Sequence, residues 1–156
     1  MINIAIPGFK NLQLEHLVLD YNGTIAIDGV LIPGVADALQ SMASDITMHV
    51  ITADTFGDAA TQLARLPILL TLLPPGDQAL AKRDFVHRLG AESVIAIGNG
   101  RNDRDMLKVA AVGIALLQKE GAAAQTVASA DIVCSSILDA LELLRHPKRL
   151  IATLRS

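Results

Sequence analysis

Short apolar runs alternate with stretches of helical period along the chain. Six apolar runs predict buried strands, at Leu17–Leu19, Met48–Ile51, Ile68–Leu72, Val94–Ile97, Val112–Leu116 and Ile132–Cys134. The segments between them predict helices over Val35–Ala43, Asp58–Leu66, Gln78–Leu89, Asp103–Val109, Ala122–Ala128 and Leu138–Arg145. Because the strand runs are continuously apolar, we expect a parallel sheet that is covered by helices on both faces. The pattern predicts an α/β fold with a doubly wound sheet.

Two pairs of shorter runs predict antiparallel hairpins. Ile2–Ile6 and Leu12–Leu14 would form a lead-in ribbon before the first core strand. Ile25–Ile27 and Val30–Ile32 flank the turn dipeptide Asp28-Gly29. No repeat, low-complexity tract or linker interrupts the sequence, so we expect one domain over residues 1–156.

The composition argues against several classes of protein, namely nucleic-acid-binding, disulfide-rich and membrane proteins. With 156 residues, 51% of them hydrophobic, the chain can bury a substantial core. A net charge of −3 and only 3% aromatic residues disfavour a nucleic acid partner, because neither a basic stripe nor stacking platforms are present. The single cysteine, Cys134, excludes an internal disulfide framework and suits a reducing compartment. The N-terminus lacks a signal-peptide pattern, and LPILLTLLPP from Leu66 is too short to cross a bilayer, so we expect a soluble cytoplasmic protein without a membrane partner.

Polar clusters follow three of the predicted strands. Asp20 ends the first core strand in LVLDYNGT, Thr52 ends the second in HVITADT, and Gly98–Asp103 (GNGRND) follows Val94–Ile97. Lys82 lies on the helix that leads into this last strand. In doubly wound sheets ligands bind outside the carboxyl ends of the strands, so these residues predict one shared site. Taken alone, Asp20 could simply belong to a turn, because Asn-Gly after an apolar run is a strong hairpin signal.

The order of these clusters resembles the four motifs of the haloacid dehalogenase-like (HAD) superfamily of phosphohydrolases. The resemblance covers Leu17 to Leu117 and rests on Asp20 with Gly23-Thr24, then Thr52, Lys82 and Gly98–Asp103. Within the superfamily, TADT and the glycine-rich cluster resemble the phosphorylation domain of P-type ATPases. The ending HPKRLIATLR is similar to that of the small soluble P-type ATPase-like proteins. The resemblance implies a Rossmann-like sheet, an aspartyl-phosphate intermediate, Mg²⁺ and a phosphorylated substrate, either a small molecule or a macromolecule.

Each motif residue has a chemical role and a structural alternative. Asp20 would be the nucleophile that takes the phosphoryl group. Thr52 would donate its hydroxyl to a phosphate oxygen, although a threonine at a strand end is often only a β-former. Lys82 would balance the charge of phosphate and Asp20, although helix lysines are usually solvated. By the same resemblance, the phosphate site would also include Ala53 and Gly23.

The glycine-rich cluster differs from a dinucleotide-binding fingerprint. It lacks the third glycine and follows a late strand instead of the first one of its unit. Asp103 suits a Mg²⁺ site, where oxygen ligands surround a hard ion. It could alternatively be the N-cap of the helix that follows.

Two residues depart from the family pattern. Asn22 stands where many HAD phosphatases have a general acid/base Asp, and Asn cannot shuttle a proton. Asn99 stands where the family usually has a metal-binding Asp. The resemblance therefore implies a metal site made of Asp20, Asp103, Asn99 and the backbone carbonyl of Asn22, with fewer charged ligands than usual.

The intervals between the motifs are too short for the substrate-selecting caps that HAD enzymes commonly carry. We expect an open cleft that meets a large substrate or borrows walls from another subunit in a homo-oligomer. No pump domains accompany the motifs, which argues against an ion pump. The first hypothesis is a slow Mg²⁺-dependent phosphohydrolase, and the alternative is a phosphate-binding or regulatory module that has lost turnover. A receiver domain fits less well, because Asp20 falls too early in the chain.

Overall fold

A six-stranded parallel sheet forms the centre of the computed structural model, which describes residues 1–54 and 57–156. The strands are β1 (Ile2–Ala5), β2 (Asn11–Leu14), β3 (His16–Leu19), β4 (Ala26–Ile27), β5 (Val30–Leu31), β6 (Thr47–Thr52), β7 (Ile68–Leu72), β8 (Val94–Gly98), β9 (Val112–Leu116) and β10 (Ile132–Cys134). The helices are α1 (Val35–Ser41), α2 (Asp58–Leu63), α3 (Gln78–Leu89), α4 (Arg104–Val109), α5 (Ala124–Ser129), α6 (Ile137–Arg145) and α7 (Pro147–Leu154). The sheet order is β10-β9-β8-β3-β6-β7, with every pairing parallel, which confirms the predicted α/β fold.

The central strand β3 is buried on both faces. Leu17 and Leu19 belong to a cluster that includes buried residues of α1 and α6, whereas Val18 packs in a second cluster with Phe85 and Met106 of α3 and α4. Successive side chains of a strand point to opposite faces, so two helical layers require a continuously apolar strand. This is the physical reason for the pattern of the core runs.

Both predicted hairpins are present. β1 and β2 pair antiparallel, and so do β4 and β5, where Ile27 lies opposite Val30. Asp28 has a φ of 51° and Gly29 a φ of 80°, which fits a tight turn. The second hairpin follows β3 directly and therefore stands beside the end of the central strand.

Several helix boundaries differ from the prediction. α2 ends at Leu63. It does not reach Leu66 as predicted, and Pro67 disfavours a helical conformation for that residue. The segment predicted as a helix from Asp103 starts with a 3₁₀ turn over Arg101–Asp103, and α4 begins at Arg104. α7 was not predicted. It begins with Pro147 at its first position, where a proline is tolerated, and it buries Leu150.

No helix within the part of the chain that the structure describes is long and apolar enough to span a membrane.

Candidate active site

The predicted residues meet at the carboxyl ends of three neighbouring strands. β3 lies between β8 and β6, so Asp20, directly after β3, has Asn99 on one side and Thr52 on the other. The Asp20 N–H donates to the Ile97 carbonyl at 3.1 Å, which extends the β3–β8 pairing and fixes the backbone of Asp20. A cavity of about 340 Å³ opens here, lined by Asp20, Asn22, Thr52, Ala53, Asp54, Asp58, Lys82, Asn99, Gly100, Asn102 and Glu120.

Lys82 connects two carboxylates in the floor of this cavity. Its Nζ donates to Asp20 Oδ1 and to Asp103 Oδ1, at 2.7 Å in each case, and the residue is 1% exposed. The alternative of a solvated helix lysine is therefore wrong. Burial alone would lower the pKa of Lys82, but the charges of Asp20 and Asp103 raise it above its ordinary value. The ammonium group stays charged.

Asp103 is fully buried and holds the glycine-rich loop together. Its Oδ2 accepts hydrogen bonds from the backbone N–H groups of Asn99 at 3.0 Å and Gly100 at 2.9 Å. Asp103 occupies the N-cap position of α4, as the alternative predicts, but its side chain makes no capping hydrogen bond to that helix. Burial and the Asp20 charge raise the Asp103 pKa, and Lys82 partly offsets this. A Cβ on Gly98 would lie 2.5 Å from Asp103 Cγ, so this position requires glycine.

Thr24 lies between Asp20 and Asn99. Its Oγ1 is 3.3 Å from Asp20 Oδ2 and 3.3 Å from Asn99 Oδ1, and it is fully buried. Asn99 Nδ2 donates to the Gly121 carbonyl at 3.0 Å, which fixes the orientation of the amide. One hydroxyl proton can serve only one of the two oxygens, so the other presents unshared lone pairs. Thr24 belongs to the first predicted motif, which assigns no chemical role to its side chain.

The residues after Asp20 build a turn. Asn22 Oδ1 accepts a hydrogen bond from the Gly29 N–H at 3.1 Å, which anchors the β4–β5 hairpin. The Gly23 N–H donates to the Ala26 carbonyl at 2.7 Å, and Gly23 has a φ of 81°. The prediction that Gly23 binds phosphate is corrected on this point, because its N–H group is already engaged in the turn. The Asn-Gly pair is thus a turn as well as part of a motif.

The phosphate-contacting residues predicted on β6 line the cavity. Thr52 is 7% exposed, and its Oγ1 accepts a hydrogen bond from the Asp54 N–H at 3.3 Å. Ala53 is exposed at the cavity wall. Thr55, the last residue of the TADT motif, lies outside the described residues.

Three further carboxylates line the mouth of the cavity, on Asp54, Asp58 and Glu120. Asp54 Oδ2 accepts from the Ala59 N–H at 3.1 Å. Burial, followed by the charges of Asp54 and Asp58, raises the pKa of Tyr21 to about 12. Glu120 follows β9 and was not predicted, although its position after a strand end of the same sheet is a signal that could have found it.

The oxygen atoms around Thr24 form the donor set that a hard divalent cation takes. In the described part of the chain, no group of three or more His, Cys, Asp or Glu side chains is arranged to hold a metal ion. A cation here would therefore contact fewer than three carboxylates, together with amide and carbonyl oxygens.

Two sequence comparisons give matches. Residues 81–139 match the family model of haloacid dehalogenase-like hydrolases, a span that contains Lys82, Gly98–Asp103 and Glu120. An uncharacterised protein of Methanocaldococcus jannaschii is 44% identical over 84 residues, which cover 51% of this chain and 90% of that protein.

Solved structures share the fold. The 3-deoxy-D-manno-octulosonate 8-phosphate phosphatase of Moraxella catarrhalis, in complex with magnesium ion, phosphate ion and KDO, is similar with a TM-score of 0.67 and 18% identity. The match covers 92% of this chain and 94% of that one. A zinc-transporting PIB-type ATPase in the E2.Pi state has a TM-score of 0.57 and 23% identity, over 79% of this chain and 21% of the ATPase.

Proposed function

We propose that this chain, which belongs to the haloacid dehalogenase-like hydrolase family, is a phosphohydrolase that uses Asp20 as its phosphoryl acceptor. The observation that carries the proposal is the buried Lys82 bridge between Asp20 and Asp103 at the end of the central strand. Lys82 is buried, and it lies beside the Asp20 carboxylate, which faces the cavity. Its positive charge is therefore placed where a phosphoryl group would bind.

The reaction would proceed in two displacements at Asp20. An Asp20 carboxylate oxygen attacks phosphorus, the bond to the leaving oxygen breaks, and an acyl phosphate forms on the protein. Water then attacks phosphorus and releases inorganic phosphate, which restores the carboxylate. Lys82, the Thr52 hydroxyl and the backbone N–H of Ala53 would bind the phosphoryl oxygens. Asp103 would orient Lys82 through its three accepted hydrogen bonds.

We assign the divalent cation, Mg²⁺, to the Oδ2 side of Asp20, opposite the oxygen that Lys82 holds. Asp20 Oδ2 and Asn99 Oδ1 both face Thr24 Oγ1 there, and the Asn22 carbonyl would be a third oxygen. When bound, Mg²⁺ neutralises charge that develops on the transferred phosphoryl group. Because both Asp103 oxygens already accept hydrogen bonds from protein donors, we now assign Asp103 a positioning role instead of direct metal contact.

Turnover would be slow. Asn22 carries no titratable group, and its Oδ1 is held by the hairpin. Neither protonation of the leaving group nor activation of water can therefore come from this position. A long-lived phosphoenzyme would be a property shared with P-type ATPases.

The substrate would be a phosphomonoester, small or macromolecular, that reaches an open cleft.

A homo-oligomer in which a second subunit lines this cleft remains a prediction. The β4–β5 hairpin is the candidate contact between subunits. An apolar cavity of about 430 Å³ lies beside it, and its Val30 is 59% exposed.

A substrate panel tests the activity. Acetyl phosphate, p-nitrophenyl phosphate, sugar phosphates and phosphorylated amino acids are incubated with Mg²⁺, and phosphate release is measured. We expect slow, Mg²⁺-dependent release that Asp20→Asn abolishes, while Asp84→Asn, a change at a half-exposed carboxylate on α3, leaves it intact. Equal turnover by Asp20→Asn would refute the mechanism. Binding of a fluoroberyllate phosphate mimic without any turnover would favour the regulatory module.

A further inference from the structure

We infer that Glu120 supplies the divalent-cation site with the carboxylate that Asn99 lacks. The inference rests on the proposed function only for the location of that site, beside Asp20 Oδ2. It assigns a role to a residue in the loop between β9 and α5, on a strand end that holds none of the recognised motif residues.

Glu120 and Asn99 meet over Gly23. A Cβ placed on Gly23 would lie 2.1 Å from Glu120 Oε2, 2.4 Å from Asn99 Nδ2 and 2.6 Å from Asn99 Oδ1. The carboxylate and the amide therefore approach the same point above the turn that follows Asp20. Asn99 Oδ1 in turn lies 3.3 Å from Thr24 Oγ1, which is 3.3 Å from Asp20 Oδ2. Glu120 thus stands on the cation side of Asp20, not on the Lys82 side.

The loop that carries Glu120 is tied to Asn99. Gly121, the next residue, accepts a hydrogen bond from Asn99 Nδ2 at 3.0 Å, and the Ala123 N–H donates to the Asn99 carbonyl at 2.9 Å. These bonds hold Glu120 beside Asn99 without engaging its own carboxylate. Within residues 1–54 and 57–156, no hydrogen bond or ion pair to that carboxylate is found. It is available to bind an ion, directly or through a water molecule.

Charge explains why the site needs this residue. Asp20 and Asp103 carry two negative charges, and Lys82 carries one positive charge. Lys82 is ion-paired with both carboxylates, so the charge of Asp20 is already partly neutralised. Asn99 adds an oxygen but no charge. Affinity of an oxygen-ligand site for a divalent ion rises with the number of charged ligands, so Asp20 alone would make a weak site. Glu120 adds the missing formal charge.

Calorimetric titration of Mg²⁺ into the intact chain, without substrate, tests the assignment. Four proteins are compared: wild type, Glu120→Gln, Asn99→Asp and the double variant. We expect Glu120→Gln to weaken Mg²⁺ binding by about tenfold or more. Asn99→Asp should tighten binding in wild type and restore it in the Glu120→Gln background. Glu92→Gln, an exposed glutamate at the opposite end of the sheet, should leave the Kd unchanged.

Two results would overturn the inference: an unchanged Kd in Glu120→Gln, or no detectable binding of Mg²⁺ or Mn²⁺ by wild type. Thermal unfolding of each variant shows that it is folded. The outcome is separable from the proposed function. Phosphate release with an unchanged Kd in Glu120→Gln would refute only the role of Glu120. Weakened Mg²⁺ binding in a protein without turnover on any substrate would refute only the phosphohydrolase.

Discussion

At the scale of single residues, this site is distinguished by a neutral side chain, Asn22, close to the proposed nucleophile Asp20. Asn22 lines the same cavity as Asp20 but is engaged in a hydrogen bond to the hairpin. An aspartyl phosphate needs a water molecule that loses a proton during attack, and Asn22 cannot accept one. The lifetime of the intermediate should therefore depend on this position.

Asn22→Asp should accelerate dephosphorylation, because general acid–base catalysis typically contributes about 10²–10⁴ in rate. The measurement is the decay of pre-formed phosphoenzyme in a single turnover, which separates hydrolysis from substrate binding. Asn102→Asp is the matched control, since it adds the same charge to the wall of the same cavity. Equal decay rates in wild type and Asn22→Asp would show that another residue, such as Asp54 or Asp105, supplies the base.

Three of the site residues predicted from the sequence are fixed by strand ends. Asp20, Thr52 and Asn99 lie at or directly after β3, β6 and β8, and the parallel sheet brings them together whatever the details of the loops. The engaged N–H of Gly23 and the approach of Glu120 depend on turn and loop geometry. A motif does not encode that geometry. The position of Glu120 after β9 could have indicated a candidate residue, but not its approach to Asn99.

At the scale of elements, Gln118 joins three parts of the fold. Its Nε2 donates to the carbonyls of Gly23 at 3.0 Å and Thr24 at 2.9 Å, and its Oε1 accepts from the Ile137 N–H at 2.8 Å. One side chain thus links the loop after β3, the loop after β9 and the first turn of α6. The loop after β3, which begins with Asp20, is held by the C-terminal part of the chain.

Gln118→Ala should lower the free energy of unfolding by about 1–3 kcal/mol, because it leaves partly buried backbone groups without partners. Urea denaturation measures the change. Gln125→Ala, which removes only an exposed bond to Arg101, is the control and should be close to neutral. A loss no greater than that of Gln125→Ala would mean that water replaces the Gln118 contacts.

Strands were easier to predict than helix ends. Ile68–Leu72, Val112–Leu116 and Ile132–Cys134 have the predicted bounds, because each is a short, mainly apolar run. Of the three, only β9 is buried at every position, whereas the edge strands β7 and β10 are partly exposed. α7 was not predicted, although its proline stands at the first helical position, where a proline is tolerated. Tertiary packing of Leu150 stabilises this helix, and packing is not visible in local periodicity.

At the scale of the whole molecule, the face of the sheet under α3 contains a histidine pair remote from the active site. His16 Nδ1 and His49 Nε2 are 3.1 Å apart, and the His49 ring packs edge-on against Phe85. Burial, followed by the charge of His16, lowers the pKa of His49 from 6.5 to about 4. The folded protein therefore keeps His49 neutral at pH values where the unfolded chain binds a proton.

Stability should fall as the pH drops. Above pH 6.5 the neutral His49 side chain makes its full contribution to the free energy of unfolding. This contribution, at most about 3 kcal/mol, is lost as the pH falls from 6.5 to about 4. Urea denaturation of wild type and His49→Gln between these pH values isolates the effect, since Gln does not titrate and the carboxylates are common to both. Parallel pH profiles for the two proteins would contradict the prediction.

The role of Asp20 as phosphoryl acceptor is tested most directly by the site of phosphorylation. The intact chain is incubated with acetyl phosphate and Mg²⁺, quenched in acid, digested and mapped by mass spectrometry. We expect one phosphoryl group per chain, located on Asp20, dependent on Mg²⁺ and absent from Asp20→Asn. A phosphoryl group on another residue, or undiminished labelling of Asp20→Asn, would contradict it.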